Sequence, residues 1–507
     1  MVERYILAEF PIKIPIDNTA KLVVNINTTS SESSLNLSSL LMQGTGQIRL
    51  KVPQDKREIR LLVYLNQEDP SFDLDDKEYC KEIIVPLNPE NSKPIVFDLK
   101  PRKEGYAVVK LHFFKEGVGG YIGELTLNSL ILDPFRPLAH HINYPERYGL
   151  ITTGRFYEDV SVAHPDITLL ILQSTANEYQ AYLSSKEMGI CPVGKIPVIA
   201  DTRSKFLAMF KDIEKTDLSP DVIDENITAI GHALYKEIVP PELKEIYWDI
   251  RERIQSIQIW TMEPWIPWQI IKPWRMKRNG TREEDGFLCE RYSTCRWLIG
   301  TAPILKDRVR KIRVIVPSDT NLKSALEERD WIKEFARNNG MYVSFASSFQ
   351  EVMSTFRSGD FDVIHFSTHG KHYEDLPILS VIELENGEKL TPAHISGMAT
   401  TFGQAHPLVI LNACQSGIQD FSFTQINGWA RQFLEAGASA FICTLWSVSD
   451  ETALKFTEEI YNQLLNGAPL GEAIRTTRLK CKKIGDPSWL AYELYGHPNM
   501  KVKVGSS

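Results

Sequence analysis

The chain has 507 residues, with 57 Lys and Arg against 65 Asp and Glu, for a formal net charge of −8. Apolar residues make up 43% and charged residues 24%, which excludes wholesale disorder, collagen and coiled coil. The mild acidic excess supplies no basic stripe for nucleic acid to recognise. Seven cysteines are scattered along the chain without a C-x-x-C pair. That is neither a disulfide framework nor a zinc ribbon, and a reducing, cytoplasmic setting fits. The N-terminal Met-Val-Glu-Arg-Tyr-Ile-Leu lacks the apolar region of a secretory signal. No run approaches the roughly 18 apolar residues of a membrane span.

Short β-branched runs fill residues 1–135: Leu22–Ile26, Ile48–Val52, Ile59–Leu65, Ile83–Leu87, Ile95–Leu99, Ala107–Phe114 and Tyr121–Leu132. Ser, Asn, Asp, Pro and Gly separate them, and this spacing predicts an all-β sandwich. The character changes near Pro134-Phe-Arg-Pro137. Asp166–Gln173 reads as a buried strand, Val222–Glu237 as a helix stopped by Pro240-Pro241, and Ser256–Met262 as a strand. After 310 the alternation is clean. Strands at Lys311–Val316, Tyr342–Phe345, Phe361–Ser367, Pro407–Ala413 and Ala438–Leu445 alternate with helices at Asn321–Asn338, Gln350–Arg357 and Ile426–Ala436. Two further helices, Glu451–Leu465 and Leu470–Lys482, follow. Apolar strands separated by helices predict an α/β domain with a mostly parallel sheet covered on both faces. The expected domains are 1–135, a sandwich for regulation or recruitment; 136–305, a non-catalytic half; and 306–507, the catalytic domain.

In open α/β sheets, sites form beyond the carboxyl ends of the strands. His369 lies just past one predicted strand and Cys414 just past the next, 45 residues on. This is close to the His–Cys spacing of caspases. If the strands are neighbours, both side chains leave one sheet edge. A free thiol is mostly protonated at pH 7, and a nearby imidazolium stabilises the thiolate. Cys414 would attack a peptide carbonyl, while His369 would protonate the departing amine and then activate water. The backbone amides of Gly370 and Cys414 are the candidate oxyanion donors. The bland alternatives are a buried small hydrophobe for the cysteine and a strand-end histidine for its partner.

Several stretches resemble the CHAT domain, a caspase-like peptidase family of the clan that also holds separase. They are His365-Phe-Ser-Thr-His-Gly370, Leu411-Asn-Ala-Cys-Gln-Ser-Gly417, Gly428-Trp-Ala-Arg-Gln-Phe-Leu-Glu-Ala-Gly437, Thr444-Leu-Trp-Ser-Val-Ser-Asp450 and Trp489-Leu-Ala-Tyr-Glu-Leu-Tyr-Gly496. Upstream, Trp265-Ile-Pro-Trp-Gln-Ile270 and Phe287-Leu-Cys-Glu-Arg-Tyr292 resemble the family's N-terminal half. The resemblance implies a caspase-like fold and a cysteine endopeptidase, with His369 as acid–base and Cys414 as nucleophile. It implies a protein substrate, no metal and no cofactor, and a place among regulated bacterial defence or cell-death enzymes. Ser447 stands where the family usually has Pro, and His497 where it usually has Asp. The family's common helical repeats are replaced by the sandwich, which would receive a regulatory partner. The alternative is a caspase-like scaffold or sensor that binds without cutting.

Other residues carry weaker signals. Asp450 and Asp420 are candidate acids for a pocket selecting Lys or Arg before the cut; Glu374 and Asp375 border the same cleft. His372 is a fallback acid–base residue. His365, within the strand, reads as packed, His394 and His406 as loop or helix-end residues, and Cys443 as core. Trp260, Trp265, Trp268 and Trp274 read as packing between the two halves rather than a binding surface. Asp69, Asp73, Asp75 and Asp76 read as an acidic turn, lacking EF-hand spacing. Gly117-Val-Gly-Gly-Tyr-Ile-Gly123 reads as a hairpin turn rather than a dinucleotide loop, since no helix follows it.

Overall fold

The computed structural model describes residues 2–29, 41–50, 57–67, 71–74, 78–116, 120–132, 153–156, 163–175, 178–197, 219–263, 266–301, 303–320, 323–368, 370–371, 381–396, 402–413, 423–446 and 448–505. The chain divides into two compact units. One holds Met1–Ser161 with Leu172–Lys195, and the other holds Val162–Ile171 with Ile196–Ser507.

The first unit contains the all-β sandwich expected over 1–135 and also takes in Leu172–Lys195, from the stretch expected to belong to the next domain. One sheet runs Leu41–Leu50, Val2–Pro11, Ala20–Asn27, Ile95–Pro101, Phe72–Leu74. The other runs Thr153–Phe156, Gly120–Leu132, Gly105–Lys115, Glu58–Asn66, Cys80–Pro86, with Lys13–Pro15 beside Gly120–Leu132. Alternate residues point inward, as a period of two requires. Phe10, Leu22 and Phe97 from one sheet join Leu61, Leu111, Phe113 and Leu125 from the other in a shared core. Gly105–Lys115 and Gly120–Leu132 pair antiparallel with Gly120 opposite Lys115, and a bulge follows at Tyr121–Gly123; residues 117–119 of the expected hairpin turn lie outside the described residues. Part of the outer face of the second sheet is also buried: Tyr64, His112 and Phe114 are each at most 2% exposed. His112 Nδ1 lies 3.0 Å from the Tyr121 hydroxyl, which donates to Glu124 at 3.3 Å. Burial pushes the His112 imidazole down to about 3 and the Cys80 thiol up to about 12. The strand Val2–Pro11 was not anticipated, although its Ile6, Ala8 and Phe10 alternate inward.

The second unit carries a nine-stranded run of one sheet. In chain order its elements are β1 (Ile167–Thr175, which enters this unit through Ile171), α1 (Pro220–Ile238), α2 (Pro241–Ile250), β2 (Ser256–Thr261), β3 (Ser293–Leu298), β4 (Lys311–Ile315), α3 (Lys323–Asn338), β5 (Tyr342–Ala346), α4 (Phe349–Ser358), β6 (Val363–Thr368), β7 (Leu408–Ala413), α5 (Phe423–Glu435), β8 (Ala440–Thr444), α6 (Asp450–Leu465), α7 (Leu470–Cys481) and β9 (Tyr492–Tyr495). The spatial order is β1-β2-β3-β9-β8-β7-β6-β4-β5. β1, β2, β3 and β9 are mutually parallel, and so are β8, β7, β6, β4 and β5. The blocks meet at β9 and β8, which pair antiparallel. This is the expected mostly parallel, helix-flanked α/β sheet, with one reversal of direction inside it.

Local chemistry explains the helices. Ser348 and Glu351 form a reciprocal capping box at the start of α4, and Gly359 ends it in the left-handed region. Pro240-Pro241 stops α1, as expected, but Pro241 also opens α2, because a missing N–H is harmless in a first turn.

Candidate active site

Strands β6 and β7 are hydrogen-bonded neighbours, as the site hypothesis requires. They run parallel in register from Val363 opposite Leu408 to Ser367 opposite Asn412 and Thr368 opposite Ala413. Both described strands therefore end on one register pair, and the next residues in the sequence are His369 and Cys414. Those two residues lie outside the described residues, as do Asp420, His372, Glu374 and Asp375. The backbone of Gly370 is described: with Lys371 it forms a short strand opposite Val381 and Ile382, which pairs in turn with Lys389–Leu390. The Thr368 hydroxyl donates to the Glu383 carbonyl at 2.5 Å, tying the end of β6 to this ribbon.

One carboxylate lies under the two strand ends. Glu328 of α3 is 3% exposed, and four side chains donate to it. They are His365 Nε2 at 2.9 Å, Asn412 Nδ2 at 2.8 Å, and the hydroxyls of Ser367 and Thr457. Tyr461 of α6 reaches His365 Nδ1 at 3.3 Å, and the Tyr492 hydroxyl donates to Asn412 Oδ1 at 3.1 Å. Burial pushes the Glu328 carboxyl up. The attraction of His365 and the hydrogen bonds from His365, Ser367 and Thr457 outweigh it, so the group is held below the usual carboxylate range. His365 is thus a packed strand residue, as expected, but a polar one with a partner on each ring nitrogen. Glu328 itself was not anticipated. The signal was there: Ala325, Glu328, Ile332 and Phe335 are all buried, so the glutamate occupies the apolar stripe of an otherwise charged helix.

Asp450 is exposed in the first turn of α6, where a carboxylate suits the positive end of the helix dipole. The helix start is anchored by Asp486, which accepts from Ser449 Oγ at 2.6 Å, Thr452 Oγ1 at 2.7 Å and Ser488 N at 2.7 Å. His394 caps its own loop, with Thr391 N donating to Nδ1 at 3.0 Å, and His406 Nδ1 meets the Gly437 carbonyl at 3.1 Å. Cys443 is core, and burial drives its thiol far upward.

The other block of the sheet holds a second buried charge cluster. Arg296 of β3 lies between Glu263 and Glu493, 3.3 Å from each. Glu263 also accepts from Ile266 N at 2.7 Å and Trp268 Nε1 at 2.8 Å, so the Ile266-Pro-Trp268 segment folds around it. Trp260 and Trp268 are core residues, Trp274 is half-buried beneath Arg282, and Trp265 lies outside the described residues. Burial pushes the Glu263 carboxyl up to about 7 against the opposing pull of Arg296. Asp73 pairs with Arg102 at the surface, while Asp69, Asp75 and Asp76 lie outside the described residues. Among the described residues no helix is long and apolar enough to cross a membrane.

Residues 228–496 match the family described as the CHAT domain. Among solved structures, two of the Saccharomyces cerevisiae separase–securin complex are similar at 14% and 10% identity, over 60% and 67% of this chain, with TM-scores of 0.33 and 0.40. This chain spans 22% and 30% of those separase-complex chains. The complex of Porphyromonas gingivalis RgpB pro- and mature domains is similar at 11% identity, over 59% of this chain and 76% of that one, with a TM-score of 0.33. The curated proteins contain no match.

Proposed function

The chain belongs to the CHAT-domain family, and from that premise we propose that it is a cysteine endopeptidase working through Cys414 and His369. The observation that carries this reading is the register of β6 and β7, which ends both strands on the pair Thr368 and Ala413 immediately before these residues. In the proposed reaction the Cys414 thiolate adds to the scissile carbonyl, and His369 gives its proton to the departing amine. Water, activated by the now neutral imidazole, then releases the acyl group. The N–H groups of Gly370 and Cys414 receive the developing oxyanion, and Asp450 or Asp420 selects a basic residue before the cut. The substrate is a protein, and the all-β unit recruits it or receives an activating partner, as in a regulated defence or cell-death enzyme.

The test is cleavage of a diverse peptide library by wild type, Cys414→Ala and His369→Ala side by side. Cuts made by wild type alone establish the peptidase, and a Lys or Arg preference lost on Asp450→Lys assigns the pocket acid. Equal cutting by all three proteins removes the dyad assignment. No cutting by wild type, with a Cys414→Ala protein that keeps its cellular effect, would favour a scaffold.

A further inference from the structure

We propose that Glu328 is a positioning residue that sets the separation of His369 and Cys414; this rests on the peptidase reading above. The argument begins from what a buried carboxylate costs. An ion pair enclosed in a core adds little net stability, and well-packed apolar residues of the same volume often do as well. A fully satisfied polar network, by contrast, selects one arrangement of its members over all others. Glu328 is such a centre. Its four donors come from three separate elements: His365 and Ser367 of β6, Asn412 of β7 and Thr457 of α6. Ser367 and Asn412 are register partners. They stand two residues before His369 and two before Cys414, respectively. A single carboxylate therefore holds both arms of the proposed dyad at the same level of the sheet, one step below their last described residues. Backbone pairing alone would also align these strands. What it would not do is define the tilt of each strand's end relative to α3, and the side-chain bonds to Glu328 supply that reference.

The second layer points the same way. Tyr461 holds His365 from the side opposite Glu328, and Tyr492 holds Asn412 through its carbonyl oxygen. Asn412 has both ends of its amide engaged, which leaves β7 no second rotamer of equal energy. The stacked rings of Trp331 and Phe335, 5.1 Å apart, and the contact of Phe335 with Tyr461 at 5.5 Å keep α3 against α6. The donors to Glu328 named above belong to β6, β7 and α6, so the proposed effect passes through the strands.

The test measures alkylation of Cys414 by iodoacetamide in the full chain, quantified on the Cys414 peptide, from pH 5 to 9.5. A thiolate held by an imidazolium keeps reacting at low pH, whereas a free thiol loses reactivity below its pKa near 8.5. Wild type should keep a low-pH plateau, and His369→Ala should lose it by roughly 100-fold at pH 6. Glu328→Gln preserves the shape but turns an amide against four donors. It should lower the rate at pH 6 by about tenfold and leave the rate at pH 9.5 within about twofold of wild type. Ser367→Ala, which removes one donor only, should shift the same ratio in the same direction by less, and it decides the matter if Glu328→Gln does not fold. An unchanged ratio in the folded variant overturns the proposal, and so does a loss of equal size at both pH values, which marks a merely structural role. Absence of the plateau in wild type overturns the dyad reading itself, and this inference with it.

Discussion

Replacing Glu263 by glutamine should remove most of a pH dependence that the second unit otherwise carries. The carboxyl is fully enclosed, and burial lifts it to about 7, from an ordinary value of 4.5. Each tenfold change in proton affinity corresponds to about 1.4 kcal/mol, so ionising Glu263 in the fold costs roughly 3 kcal/mol relative to the unfolded chain. The sign follows from proton binding. Between 4.5 and 7 the folded state holds a proton that the unfolded state has released, so stability falls as pH rises through this window. About 2.5 kcal/mol of the loss should appear between pH 5 and pH 8. All ten tryptophans of the chain belong to the second unit, so their fluorescence reports its unfolding without interference from the sandwich. Urea titrations of wild type and Glu263→Gln at both pH values give the difference directly. Glu493, which burial also raises, leaves a residual slope in both proteins. Parallel stability curves for the two proteins would refute the reasoning.

The first unit should respond to pH in the opposite direction. His112 is held neutral in the fold, with its pKa lowered to about 3 by burial, so stability is lost as pH falls below 6.5; hydrogen exchange of amides in residues 105–132, corrected for intrinsic rates, should show weakened protection at pH 4.5. Gly437→Ala forces a side chain onto a residue with φ of +100°, and the new Cβ would sit 2.8 Å from the Gly403 Cα. The conformation alone costs roughly 1–3 kcal/mol, so a clear fall in the urea midpoint by tryptophan fluorescence is expected. Asp73→Asn breaks an ion pair whose partners are both about half exposed, and circular dichroism melts should move by no more than about 1 kcal/mol.

Much of this architecture was legible because its elements carry strong periods. The strands from Lys311 to Leu445 are apolar runs between amphipathic helices, and their C-terminal ends mark the sheet edge where His369 and Cys414 stand in the sequence. Three of the CHAT stretches, His365–Gly370, Leu411–Gly417 and Thr444–Asp450, begin at the ends of such strands, and the others fall on helices and on β9. Less visible was anything that depends on pairing distant segments. Tyr492–Tyr495 is four residues long and buried throughout, so no alternation marks it as β9, and the reversal of direction at β8 could not be read. The Glu328 network joins residues up to 129 positions apart. Its one local trace is a glutamate on an apolar stripe, and a glutamate within Leu-Glu-Glu-Arg-Asp reads as solvated until the strands it faces are known. Glu263 was hidden in the same way among tryptophans that were read for their packing alone.

Strand β9 leaves the ribosome after every other strand of the nine-stranded run, yet it lies between β3 and β8 near the middle. Until Tyr492–Tyr495 has emerged, β3 and β8 each present an open row of backbone donors and acceptors, the kind of edge that recruits other chains. The last-made strand is therefore the one that joins the two blocks, and a nascent chain halted before it carries two adhesive edges instead of one continuous sheet. Were the other eight strands to pair first, the gap between β3 and β8 would close only when this four-residue segment takes its place.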